Sequence, residues 1–164
     1  MKKIIKIVLL LLAGVLVLIQ FFRPPRNIAE TASPHDISMV IPAPPDIHAM
    51  LRTSCYDCHS STTRYPWYAE VQPVGWWLNS HIQEGKRELN FSEFGSYRPR
   101  RQYRKLEEIA EMVGEGEMPL PSYTLVHRDA KLTQEQRDKL LAWVNAARDS
   151  MKRKFPPDSL ERRR

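Results

Sequence analysis

Only two cysteines occur in the chain, and they stand three positions apart in Cys55-Tyr56-Asp57-Cys58-His59. In an exported protein, C-x-x-C-H is the attachment signature for haem, because each of two thiols at this spacing can add across one of the porphyrin's two vinyl groups. The macrocycle is then fixed covalently, and the next residue, His59, offers an imidazole nitrogen to one axial position of the iron. Three other chemistries use the same residue types. A thiol–disulfide redox pair belongs at the start of a helix after a strand, in a βαβ setting that nothing in this chain suggests. A structural zinc ion takes four ligands, usually as two separated pairs rather than three within five residues. A bare disulfide here closes a very short loop and gains little from chain entropy. The pattern is read as a haem c site, one haem per chain.

The second axial position points to Glu117-Met118-Pro119-Leu120-Pro121. Two prolines hold this stretch extended and deny it a helix, so Met118 stands in a stiff loop rather than on an amphipathic face. A thioether is a soft donor, and Met opposite His is the usual pairing in electron-transfer haems. The alternatives are that Met118 merely fills a gap in the core, or that His81 takes the position in a bis-His site. Around the motif, three of the four tryptophans, Trp67, Trp76 and Trp77, fall within eleven positions, beside Tyr65 and Tyr68. These are expected to wall the haem or simply to fill the core, with an indole N–H or the Arg64 guanidinium reaching a propionate.

Helices must position these groups. Ile47, Met50, Leu51, Cys55 and Cys58 recur at helical spacing after Pro45, with Asp46 placed to cap. Further helices are expected over 74–89, after Pro99 with a stop at Gly114 and Gly116, and from Thr133, where Gln136 completes a capping box. The last should close the domain against the first and end at Pro156 and Pro157. The fold class is therefore mostly α: a small cytochrome c-like helical domain around one covalently attached haem. It is preceded by an N-terminal transmembrane helix.

That helix is read from residues 4–22, which are apolar except for Lys6 and Gln20. At about 1.5 Å per residue they approach the ~30 Å hydrocarbon thickness. No small-residue cleavage site follows, so the segment reads as an uncleaved anchor. Because c-type sites are assembled outside the cytoplasm, the expected location is the inner membrane, single-pass, with the domain in the periplasm. Residues 1–22 are thus the anchor, 23–45 a proline-rich semi-stiff spacer, 46–155 the haem domain and 156–164 a frayed polar tail.

The 164 residues leave room for one small domain. The net charge is +6, but without Lys2, Lys3 and Lys6 there remain 22 basic against 19 acidic residues, no signature of a nucleic-acid binder. The basic cluster at 98–105 reads as a solvated helix face.

The order of pieces resembles small c-type cytochromes. The runs Cys55-Tyr56-Asp57-Cys58-His59-Ser60, Tyr65-Pro66-Trp67-Tyr68, Leu89-Asn90-Phe91-Ser92 and Gly116-Glu117-Met118-Pro119-Leu120-Pro121 are similar to the bacterial haem-binding domain family. The resemblance covers about residues 41–144. It implies a single-haem domain with Cys55 and Cys58 as attachment points and His59 as proximal ligand. Family members stand alone or beside cytochrome c and di-haem peroxidase-type modules, which implies redox partner proteins and respiratory or peroxide-linked electron transfer. The function expected is an electron carrier. The alternative is a peroxidase-like or gas-sensing haem with an open sixth position, where His81 or His127 serves as a distal acid–base group. A structural zinc or disulfide module is the third reading.

Overall fold

The computed structural model describes residues 1–161, which are mostly helical. Helix α1 spans Lys2–Ile19, α2 Ile37–Val40, α3 Pro45–Ser54, α4 Tyr56–His59, α5 Val74–Glu88, α6 Pro99–Glu115, α7 Pro121–Val126, α8 Gln134–Lys154 and α9 Pro157–Leu160. Short 3-10 turns at Trp67–Glu70, Phe91–Ser96 and Arg128–Ala130 join them.

The core lies between α3, α6 and α8. Leu51, Leu106, Leu140 and Val144 are almost wholly buried there, with Phe91 and Phe94 closing one side. The expected Thr133–Gln136 capping box starts α8, and both of its hydrogen bonds are present. The main partner of α8 is α6, with α3 a lesser one, so the closing helix packs chiefly on the second large helix rather than the first. Helix α6 runs through Gly114 and stops at Gly116, whose φ of 78° is the left-handed conformation a C-terminal glycine adopts at little cost. Asp46 does not cap α3. Pro44 holds that position, Pro45 begins the helix, and Asp46 sits in the first turn, where its charge suits the helix N-terminus.

Residues 23–45, expected as a semi-stiff spacer standing apart from the domain, pack on the segment that follows the cysteine motif. Ala29 N donates to Ser61 O and Thr63 N to Asn27 O, each at 2.9 Å, framing an isolated antiparallel bridge between Ile28 and Thr62. The buried Asn27 amide donates to Ser60 O and Thr63 Oγ1, Ile37 is fully buried, and Asp36 accepts from the Tyr56 hydroxyl at 2.8 Å. The tail also differs from expectation, since α9 places Leu160 in the core at 4% exposure. The end of the expected frayed tail, 162–164, lies outside the described residues.

Helix α1 forms over Lys2–Ile19 rather than the expected 4–22; none of its 18 residues is buried, and they include Lys2, Lys3 and Lys6. No helix among the described residues is long and apolar enough to cross a membrane.

Candidate haem site

The chain breaks at Cys55, whose φ and ψ of −128° and −39° end α3, and α4 begins at once. This kink puts Cys55, Cys58 and His59 on the wall of one apolar cavity of about 530 Å³, together with Leu51, Leu89, Phe91, Ile109, Val113, Leu132 and Leu140. Its size and its lining suit a large flat apolar cofactor. Burial pushes the thiols up, Cys55 to about 12 and Cys58 to about 11, so neither is poised as a thiolate. A thiol–disulfide catalyst needs the opposite shift. Both cysteines are free, and no three His, Cys, Asp or Glu side chains converge on a metal position among the described residues.

Two carbonyls fix His59. Its Nδ1–H donates to Gly85 O at 3.0 Å and Leu89 O at 3.1 Å, leaving Nε2 as the nitrogen with the free lone pair. Burial, opposed by these two bonds, lowers its pKa, and Lys105 lowers it further, so the ring is neutral as a ligand must be. The edge of Phe91 lies 6.1 Å from the imidazole centroid, and Phe91 also stacks on Tyr56 at 5.3 Å.

Met118 lines the same cavity, half-buried in the loop after α6, its N–H donating to Met112 O. Helix α7 starts only three residues later, because Pro121 takes the first helical position, where proline is welcome; sequence reading had the Pro-x-Pro run only as an interruption. Met112, on the last turns of α6, contributes a second thioether to the lining. His81 lines this cavity and a neighbouring one of about 250 Å³ that also touches Cys58. Its Nδ1–H donates to Trp77 O at 2.9 Å, which frees Nε2 there too.

Other expected site residues stand elsewhere. Arg64 is drawn to Asp57, donating from N, Nε and Nη2 at 3.0, 3.3 and 3.2 Å, and does not line the large cavity. Trp77 lines the smaller cavity and packs on His81 with ring centroids 4.4 Å apart. Trp76 donates to Phe22 O, and Trp67 is 80% exposed; neither reaches the large cavity. His127 is half-buried, hydrogen-bonded to the Tyr68 hydroxyl at 2.6 Å and stacked on Tyr123.

Lys105 went unnoticed within a basic run that reads as solvated. It is buried to 4% exposure, with Nζ 2.5 Å from Glu108 and 3.6 Å from Glu88, and it is the one Lys or Arg among the described lining residues. The cavity rim is otherwise acidic, with Glu84, Glu88, Glu108 and Glu111. The only sequence signal was its register. Lys105 adjoins Leu106 and follows Tyr103 by two positions, on the edge of the apolar stripe of α6.

Asp57, between the two cysteines, is a buried anchor. Besides Arg64 it accepts from the Tyr123 hydroxyl at 2.7 Å, and its carbonyl accepts from Thr63 Oγ1, so α4, the following loop and α7 meet on one carboxylate. Asp57→Ala strands the Tyr123 hydroxyl and frees the loop. It is expected to lower unfolding stability by about 2–3 kcal/mol, read as a fall in the urea midpoint, whereas Arg64→Ala, at an exposed guanidinium, costs under about 1 kcal/mol.

The fold and this cavity define a small helical domain that presents a histidine and two thiols to a flat apolar cofactor. The chain belongs to the haem-binding domain family, whose model matches residues 14–146. No curated protein and no solved structure matches it. Haem is thus the cofactor that the family match supports for this chain.

Proposed function

We propose that this protein is a membrane-anchored, periplasmic one-haem c-type electron carrier. The observation that carries the reading is the common lining shared by Cys55, Cys58, the free Nε2 side of His59, and Met118. Thioether formation by the two cysteines leaves no charge in an apolar wall. His59, oriented by Gly85 and Leu89, and Met118 are the residues that would hold the iron. Lys105 is the side chain that pairs with a propionate, in place of Glu108. When bound, haem supplies a one-electron couple, and the chain contributes burial and a thioether, both of which favour the ferrous form.

The anchor is α1. Its uninterrupted apolar run, Ile7–Ile19, is 13 residues, about 20 Å as a helix, so Lys2, Lys3 and Lys6 must extend their stems to the headgroups for it to span. Facing the periplasm follows from the site at which c-type haem is attached. Redox partner proteins, cytochrome or peroxidase modules among them, are the partners this reading requires.

A second reading rests on His81, which lines the same cavity with its Nδ1 engaged by Trp77 O: a bis-His site, or an iron left open for peroxide or a gas. Visible spectra of the haem-loaded protein separate these readings. The long-wavelength ferric band of methionine bonding is expected in the native protein and absent in Met118→Ala. If the band is missing from the native protein, Met118 is not the ligand. Carbon monoxide binding by the reduced form then favours an open iron, and its failure favours His81.

A further inference from the structure

We propose that the face formed by Phe22, Val74, Trp76 and Trp77, with Trp67 on the adjoining turn, is a lipid seat that lies in the headgroup region of the bilayer. The proposal rests on the anchoring of α1 argued above, and it adds where the folded domain sits.

The first observation is exposure: Phe21 and Trp67 are 80% exposed, Phe22 69%, Trp77 50% and Trp76 39%. A soluble surface seldom leaves so many large aromatic side chains together in water. The second is attachment. The base of α1 is fastened to this face, with Trp76 Nε1 donating to Phe22 O at 2.6 Å and the Gln20 side chain donating to Gln72 O and accepting from Gln72 N. Arg23 and Arg26 both pair with Glu70, which offsets one of their two charges. A helix tied to the domain at its last turn cannot enter a bilayer while the domain stays far from it.

The third observation is length. The apolar run of α1 falls about 10 Å short of the ~30 Å hydrocarbon layer. The lysine stems make up the deficit on one side. On the other, Phe21, Phe22 and the tryptophan face are the apolar groups available, and tryptophan is the residue that prefers the interface. Short spans are accommodated by their flanks in this way. The occupant of this face is therefore lipid. Because Trp77 and Val74 also line the smaller cavity that touches Cys58, the seat turns the Cys58 side of the domain toward the membrane.

The test uses the haem-loaded full chain in phosphatidylcholine–phosphatidylglycerol vesicles that carry a phospholipid with a diazirine near the headgroup end of its acyl chain. After irradiation, tryptic peptides are read by mass spectrometry. Peptide 65–86 holds Trp67, Trp76 and Trp77; peptide 7–26 holds the apolar run; peptide 140–148 holds Trp143, which is tied to Pro42 and packed on the core. Lipid adducts are expected on 7–26 and on 65–86, with 65–86 labelled at least about tenfold more than 140–148. Labelling of 7–26 with 65–86 no higher than 140–148 overturns the seat and leaves the anchor standing. Labelling of neither overturns both.

Discussion

Gly85→Ala is expected to lower unfolding stability by about 1–3 kcal/mol and to leave most of the protein without haem. Gly114→Ala is expected to raise stability by about 0.5–1 kcal/mol. Both glycines lie within helices, and in that setting alanine is the better helix former. The difference is what the added methyl meets. At Gly114 there is nothing within 4 Å. At Gly85 a Cβ falls 2.7 Å from Cys58 O and 3.2 Å from Cys58 C, and these are backbone atoms that cannot rotate away. Helix α5 must therefore withdraw from α4. Withdrawal moves the Gly85 carbonyl, which is one of the two acceptors that orient His59. Thermal or urea unfolding of both variants, with haem content by absorbance, checks the pair. If the two alanines change stability in the same direction, the close approach of α5 to Cys58 is not the constraint argued here.

Gly85 also shows where sequence reading stops. The residue types at 55–59 carry their chemistry openly, and the helices at 74–88, 99–115 and 134–154 were legible from their stripes, caps and stop signals, because those signals are local. A glycine inside a helix carries no mark of what lies opposite it. The same limit hid the docking of 23–45: six prolines suggest an extended chain, whereas Ile37–Val40 form a helical turn. What they cannot indicate is that Asn27 finds its partner at Ser60 and that the helix carrying Ile37 packs on the turn Phe91–Ser96, both more than thirty positions away. Composition gave Trp67, Trp76 and Trp77 as apolar mass but not which boundary they belong to. In a chain with an exposed apolar helix beside them, a wall around the haem and a face toward lipid have the same residue signature.

Electrostatic placement was the least legible part. Arg64 is sequence-close to the motif and was expected at a propionate, yet the buried carboxylate of Asp57, the neighbour of Cys58, holds its guanidinium instead. Lys105, forty-six positions from His59 and hidden in a basic run, is instead the cation inside the cavity. A buried ammonium is costly unless its surroundings compensate it, and Glu108 and Glu88 do so.

The double variant Cys55→Ser/Cys58→Ser is expected to lose all haem that survives denaturing electrophoresis, while the native chain and each single variant keep a haem-staining band. The physical basis is the state of the thiols. Held near 12 and 11 by burial, they are neutral, and serine preserves their size and neutrality, so the cavity wall itself changes little. What serine lacks is sulfur able to form a thioether. In a single variant one tether remains, and the unsaturated vinyl group shifts the alkaline pyridine spectrum to longer wavelength, which distinguishes one bond from two. His59→Ala is the companion: it keeps both tethers, so haem remains on the gel, but removes the fifth ligand and with it the low-spin spectrum. A native chain that stains for haem in solution and loses it all on the gel would show that Cys55 and Cys58 only line the pocket. The haem would then rest on His59 and packing alone.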